Sequence, residues 1–131
     1  MPPEKQESSY PRDWLVKGTK DLHRVDVLLA DGDTEGAAFH LQQALEKYLK
    51  AWLLSKGWKL VRTHDLPTLL NNAIVFDAGL DRFRATLERV TEYFTLARYP
   101  FAGDAPPPAG EIRQALDDTR DLVDKITKAL E

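Results

Sequence analysis

Residues 34–55 read TEGAAFHLQQALEKYLKAWLLS and carry the clearest helical periodicity in the chain. No proline interrupts this segment, as the interior of a helix requires. When the residues are placed at 100° intervals, most of the apolar side chains fall on one arc. The side chains that share this arc are Ala37, Ala38, Leu41, Leu45, Tyr48, Leu49 and Trp52. The segment therefore predicts an amphipathic helix that turns this arc toward a core.

The same period recurs in every other segment between the proline- and glycine-rich breaks, and no segment shows the alternation of a strand. These segments are 14–30, 66–76, 80–99 and 111–130. Thr63 or Asp65 is available as the N-cap of the short segment 66–76. The pattern predicts an all-α fold, an antiparallel up-and-down bundle of four long helices plus one short helix.

Length and proline placement suggest one domain with a separate leader. A chain of 131 residues, 43% of them hydrophobic, has the length of one domain and enough apolar material for one core. We expect residues 12–131 to form this domain and residues 1–11, which contain three prolines, to be a disordered leader. Four prolines within residues 100–110 predict a stiff connection between the last two helices.

Composition excludes several classes of function. The chain has no cysteine, so disulfides, thiolate metal sites and a cysteine nucleophile are excluded. No His joins the acidic clusters at metal-ligand spacing, so neither a metal nor a cofactor is predicted. No apolar run approaches the roughly 20 residues that span a bilayer, and the start of the chain does not resemble a signal peptide, which together predict a soluble cytoplasmic protein without membrane association.

The charge balance places any nucleic-acid contact on a local patch. Eighteen Lys and Arg face 21 Asp and Glu, for a net charge of -3. Between Lys47 and His64 there are five cations and no acid, with aromatic residues interleaved. Such a run is typical of a solvated basic face, and it is also compatible with a nucleotide-binding patch.

The side of the 34–55 helix opposite its apolar arc has an unusual composition. His40, Gln43 and Lys47 lie there beside two alanines, Ala44 and Ala51. Small residues allow another helix to approach closely, which predicts a homodimer interface on this face. The alternative is an ordinary solvent-facing side.

Two motifs of the chain are recognisable: the Gln-Gln-Ala-Leu-Glu-Lys run of residues 42–47 and the Thr-His-Asp-Leu turn of residues 63–66. Together they resemble the HEPN family (higher eukaryotes and prokaryotes nucleotide-binding). Ala-Arg-Tyr-Pro at 97–100 fits the same pattern, and the resemblance covers residues 12–130. It implies a dimerising all-α bundle, often encoded beside a minimal nucleotidyltransferase as half of a toxin–antitoxin pair.

Many HEPN proteins are metal-independent ribonucleases that carry an Arg followed, after four to six residues, by a His. Arg98 is the matching arginine by its context, but Gly103, Asp104 and Ala105 occupy the three positions where the His would stand. The ribonuclease motif is therefore absent, and this departure disfavours an enzyme.

Three functional hypotheses follow. The leading one is a HEPN-like module that binds a nucleotide or a nucleotidyltransferase partner. The second is an RNA-cleaving toxin in which Arg98 works with a His from elsewhere, His40 or His64, and the third is a purely structural dimerisation module. Candidates for phosphate or nucleotide binding are Arg98, Tyr99, His40, Lys47 and His64. Alternatively, Arg98 pairs with an acid or the helix C-terminus, and His64 orders a turn.

Overall fold

The computed structural model describes residues 6–100 and 105–131, and over these residues it contains helices and no strand. This confirms the predicted all-α class. The elements are α1 (Pro11–Asp31), α2 (Thr34–Ser55), α3 (Leu66–Ala73), a 3₁₀ helix (Ala78–Phe83), α4 (Arg84–Thr91), α5 (Tyr93–Arg98) and α6 (Ala109–Ala129). None of these helices is both long and apolar enough to cross a bilayer.

Helix α2 is the centre of the bundle. It packs against α1, α3, α4, α5 and α6, and its predicted apolar arc is buried as expected. Gly32 ends α1 in the left-handed conformation (φ 82°), and the Asp33 carboxylate then accepts from the Gly36 amide at 2.8 Å to begin α2. This short turn makes α1 and α2 an antiparallel hairpin.

Gly18 explains how closely α1 and α2 approach each other. It lies inside α1, where glycine is intrinsically unfavourable. A Cβ added at Gly18 would lie 3.2 Å from Tyr48 Cδ2 and 3.3 Å from Lys47 Cβ. At the next residue, the hydroxyls of Thr19 and Tyr48 are hydrogen-bonded at 2.9 Å. The absence of a side chain at Gly18 therefore allows α1 to lie directly on α2.

The predicted helix over residues 80–99 is divided in the structure. It begins as a 3₁₀ helix, where the Asp77 carboxylate accepts from the Gly79 amide at 3.0 Å. α4 and α5 then follow with Glu92 between them, and Glu92 keeps helical angles (φ -69°, ψ -20°). The segment therefore continues in one general direction but is not the single regular helix that the period predicts.

The predicted leader, residues 1–11, is described only from residue 6 onward. The Ser8 hydroxyl donates to Asp13 at 2.6 Å, and the Trp14 indole donates to the Ser8 carbonyl at 2.7 Å. Residues 6–10 are thus attached to α1, which begins at Pro11; residues 1–5 lie outside the described residues. Part of the predicted proline-rich connection, residues 101–104, also lies outside them, and α6 begins at Ala109.

Candidate functional site

The face of α2 predicted as a dimer interface is largely covered within the monomer: two of its five residues are buried and the other three are half-buried. Ala44 and Ala51 are completely buried, and the Gln43 side chain donates to Gln42 at 2.7 Å. The prediction that these residues meet a second copy is wrong for Ala44 and Ala51, because α1 and its neighbours leave them no exposed surface. Sequence periodicity assigned the core to one arc only, whereas α2 is covered on nearly all sides. The homodimer itself stays a prediction.

Helix α1 places a buried carboxylate, that of Asp21, against this face of α2. Asp21 accepts from Arg24 Nη1 at 2.9 Å and from His40 Nδ1 at 3.0 Å, and it forms an ion pair with Lys47. Burial would raise the pKa of Asp21, but hydrogen bonds from Lys47 and His40 and the Lys47 charge outweigh it, so the pKa is lowered. We call Asp21, Arg24, His40 and Lys47 the Asp21 cluster.

A second buried carboxylate lies on another side of α2. Glu46 accepts from Lys50 Nζ at 3.0 Å and from His64 Nδ1 at 2.9 Å. The Gln42 amide donates to the His64 carbonyl at 2.9 Å and to Glu46 at 3.3 Å. We call Gln42, Glu46, Lys50 and His64 the Glu46 cluster.

The loop that carries His64 is fixed on both sides. Asp65 is the N-cap of α3, and its carboxylate accepts from the Thr68 amide at 3.0 Å, which confirms one of the two predicted caps. The Leu66 amide donates to Thr91 Oγ1 at 2.9 Å, which ties the turn to α4. His64 itself is exposed, so the turn presents its ring to solvent.

The hydrogen bond to Glu46 determines which His64 nitrogen is free. A carboxylate only accepts hydrogen bonds, so Nδ1 must carry the proton that it donates to Glu46. In the neutral ring Nε2 is then the unprotonated nitrogen. The same argument applies to His40 on Asp21. Both imidazoles are thus oriented by buried carboxylates, and both keep Nε2 for another partner.

Aromatic contacts join the two histidines and Arg98 on one surface. The His64 ring stacks on Phe94 with centroids 4.2 Å apart and an angle of 16°, and Arg98 Cζ lies 5.0 Å from the same Phe94 centroid. Phe39 lies 6.2 Å from Phe94 and 5.5 Å from His40. We call these five residues, His40, Phe39, Phe94, His64 and Arg98, the aromatic strip.

Cavities border the strip on two sides. A groove of about 430 Å³ beside His64 and Phe94 is also lined by Asp65 and Glu92. A second cavity, of about 380 Å³, is lined by Arg98, Tyr99 and Glu35 among others. Arg98 is therefore the residue common to the strip and to the second cavity, and the predicted candidate Tyr99 lies beside it.

Tyr93 forms one wall of the second cavity. Its hydroxyl donates to the Glu111 carboxylate at 2.6 Å, which joins α5 to α6. Burial, the hydrogen bond and the charge of Glu111 raise the pKa of Tyr93 well above its ordinary value. Tyr93 is therefore a neutral donor at physiological pH and contributes no charge to the cavity.

The predicted basic run of residues 47–64 does not form one patch. Lys50 is buried against Glu46, and Lys47 belongs to the Asp21 cluster. Lys56 lies 5.1 Å from the Trp52 ring centroid, at the end of α2. The side chains of these three lysines thus lie in three different environments.

Sequence reasoning missed four residues that shape the site: Asp21, Phe39, Glu46 and Phe94. One signal was available for Glu46. Gln42, Glu46 and Lys50 follow one another at four-residue intervals, in a segment that is otherwise apolar on most sides. Polar side chains aligned on a largely buried helix are expected to hydrogen-bond to one another. Nothing local predicts that Phe94 stacks on His64, because these residues are thirty positions apart.

The fold and the site define a class: a helical bundle whose surface carries two carboxylate-held imidazoles and a guanidinium. A profile of the HEPN domain matches residues 11–130, so the chain belongs to the HEPN domain family. Searches among curated proteins and among solved structures each gave no significant match. Within residues 6–100 and 105–131, no group of three or more His, Asp or Glu is arranged to hold a metal ion.

Proposed function

We propose that the chain binds RNA or a nucleotide through the aromatic strip. The observation that carries this proposal is the shared Phe94 ring, on which the His64 imidazole stacks and over which the Arg98 guanidinium lies. The His64 ring centroid lies 4.2 Å and Arg98 Cζ lies 5.0 Å from the Phe94 ring centroid. The imidazole and the guanidinium are therefore separated by no more than the sum of these two distances. One phosphate and its neighbouring base therefore lie within reach of both.

The chemistry of the two groups suits such a ligand. A guanidinium presents a planar fork of donors that matches two phosphate oxygens, and its charge is permanent. The exposed His64 ring offers a flat face on which a base can stack, and Nε2 offers a hydrogen bond. Asp65 and Glu92 line the groove beside His64, so a phosphate is expected to approach from the Arg98 side.

Binding of a labelled hexauridylate, followed by fluorescence anisotropy, tests the proposal. Arg98→Ala should weaken binding by about tenfold, as the loss of a charge-assisted hydrogen bond predicts. Arg120→Ala is the matched control, because Arg120 is an exposed arginine on α6 that forms an ion pair with Asp117 one helical turn away. Equal affinities of wild type and Arg98→Ala would reject the proposal.

A second candidate is metal-independent RNA cleavage, and the Glu46–His64 hydrogen bond favours it. His64 Nε2 would take the proton of a 2′-hydroxyl, and the 2′-oxygen would attack the adjacent phosphorus. The bond from phosphorus to the 5′-oxygen would break, and that oxygen would leave with a proton from an imidazolium or water. Arg98 would hold the non-bridging oxygens, whose charge grows during the attack.

Incubation of the hexauridylate with excess chelator separates the two candidates. Cleavage to a 2′,3′-cyclic phosphate that His64→Ala abolishes would establish the enzyme. His64→Gln keeps a polar side chain of similar length, and it should also be inactive because an amide does not exchange protons near neutral pH. Intact RNA after long incubation with wild type rejects cleavage and leaves the binding proposal standing.

Family membership supports two further proposals about partners. One is that the working form is a homodimer, and the other is that a minimal nucleotidyltransferase accompanies the chain as the other half of a toxin–antitoxin pair. Sedimentation at micromolar concentration tests the first, and a monomer there would reject it. Co-expression with a nucleotidyltransferase encoded beside it tests the second, and failure to co-purify would reject that pairing.

A further inference from the structure

We infer that the aromatic strip and the Asp21 cluster together form a track for single-stranded RNA with two phosphate subsites. The first subsite is His64 with Arg98, and the second is His40 with Arg24 and Lys47. This inference rests on the proposed function and deepens it, because it replaces a single nucleotide by a strand as the ligand.

The Asp21 cluster holds more positive charge than its carboxylate neutralises. The Asp21 side chain is 3% exposed, and it is shared by Arg24, His40 and Lys47. Two of these partners are permanent cations at neutral pH, so at least one charge is left over. The three partners are 52%, 27% and 21% exposed, which shows that they reach solvent while holding the carboxylate.

Lys47 and Arg24 also have donors to spare. An ammonium has three N–H groups and a guanidinium has five, and the contacts with Asp21 use one of each. His40 donates from Nδ1, and its Nε2 is an acceptor in the neutral ring. A carboxylate at the base of two cations and an imidazole thus fixes their positions, and the outer donors of Arg24 and Lys47 can receive a second anion.

A cleft along α1 adjoins the cluster through Lys47. It has a volume of about 440 Å³ and is lined by Lys17, Asp13 and Trp14 among others. The charges of Lys17 and Asp13 offset each other, so the positive charge on this side is the surplus of the Asp21 cluster. The whole chain carries a net charge of -3, and a local surplus of this kind is what nucleic-acid binding by an acidic protein requires.

The aromatic strip connects the two subsites without a gap. From His64 the ring-to-ring steps are 4.2 Å to Phe94, 6.2 Å to Phe39 and 5.5 Å to His40. The α2 residues that anchor the two subsites, His40 and Glu46, are six positions apart, about 9 Å along the helix axis. One phosphate does not cover this distance, whereas successive phosphates of a strand do.

Phe39 adds the last element of a strand-binding surface. Its ring lies between the two subsites, where the base of the nucleoside that links two bound phosphates would lie. Aromatic platforms between cations are typical of proteins that bind single strands, because every base has a flat face. A folded duplex would present only its backbone to this surface and would leave Phe39 unused.

Affinity for uridine monophosphate, diuridylate and hexauridylate, measured by calorimetry over a range of salt concentrations, tests the inference. We expect hexauridylate to bind at least about tenfold more tightly than the monophosphate, since a second charge-assisted contact is added. Arg24→Ala should remove most of this gain and lower the salt slope of hexauridylate binding by about 0.7. Arg120→Ala is again the control.

The outcomes distinguish this inference from the proposed function. If no probe binds, the proposed function fails and the inference fails with it. If the monophosphate binds but chain length and Arg24→Ala have no effect, the function stands and the second subsite is wrong. If a hexaglutamate peptide displaces hexauridylate at equal concentration, the track recognises acidic protein and the RNA inference is overturned.

Discussion

The Asp21 and Glu46 clusters have similar partners but differ in how far those partners are exposed to solvent. In each, a buried carboxylate accepts a hydrogen bond from Nδ1 of a histidine. Glu46 is then neutralised by Lys50, and both side chains of that pair are at most 5% exposed. Asp21 is instead neutralised by cations that reach water. The Glu46 cluster is therefore a closed support for one ring, whereas the Asp21 cluster offers its surplus charge to a ligand.

This difference assigns separate roles to two similar sets of residues. Because the Lys50 ammonium is paired with Glu46, the positive charge at the first subsite must come from Arg98 on α5. At the second subsite the charge comes from α1 and α2 themselves. The same helix α2 thus positions both imidazoles, and the helices around it decide how much charge each subsite presents.

The comparison predicts its largest effect at Glu46. Glu46→Ala should destabilise the protein by about 3–5 kcal/mol, because it leaves the buried Lys50 ammonium without its partner. Urea unfolding followed by circular dichroism measures the effect. The double variant Glu46→Leu with Lys50→Met should recover much of the loss, since it removes both charges at similar volume. A loss under 1 kcal/mol for Glu46→Ala would show that Lys50 can reach water, as the cations of the Asp21 cluster do.

Asp21→Asn should cost less, about 1–3 kcal/mol. The carboxylate is equally buried, but Arg24, His40 and Lys47 can turn toward water when it is neutralised. The same urea titration gives the value. An equal or larger loss than that of Glu46→Ala would reverse the contrast between a closed and an open cluster.

The Asp21 carboxyl also predicts a dependence on pH. Its pKa is lower in the folded protein than in the unfolded chain, where it is about 3.9. Its contribution to stability is therefore complete above the unfolded value and is lost as the pH falls through the folded one. The difference in stability between wild type and Asp21→Asn should shrink between about pH 5 and pH 2. A difference that stays constant over that range would show that the carboxylate is not held by its cations.

The smallest predicted effect concerns the acids near His64. Glu92→Gln removes an exposed negative charge from the groove beside His64 and should raise hexauridylate affinity about two- to threefold at low salt. Glu131→Gln, at an exposed position after α6, serves as the control for net charge. If both variants raise affinity equally, the acids bordering the groove have no local influence on the first subsite.

Much of the fold could be predicted from the sequence, because helical period and proline placement are local properties. The α1, α2 and α6 helices and the Asp65 cap follow from them. The division at Glu92 does not, since residues 80–99 keep one apolar stripe throughout. The attachment of Ser8 to Trp14 was also missed, because proline-rich composition alone favoured disorder.

The candidate site was predicted residue by residue and not as an arrangement. Arg98, His40, Lys47 and His64 were candidates, but the rings and carboxylates that join them come from other elements. An amphipathic wheel assigns polar residues to solvent, so it placed Lys47 and Ala44 on one outward face. The close packing of α1 on α2 at Gly18 overrides this assignment. It places Asp21 of α1 against the face of α2 that the helical wheel assigns to solvent.

Side-chain nitrogen NMR of the three histidines, recorded during titration with hexauridylate, shows whether RNA reaches both imidazoles. We expect Nδ1–H tautomers at His40 and His64 in the free protein, and we expect RNA to shift the Nε2 signals of both. His23, exposed on α1, should not move and is an internal control. If the signals of His40 and His64 stay unchanged at saturating RNA, or move no more than that of His23, RNA does not bind along the aromatic strip.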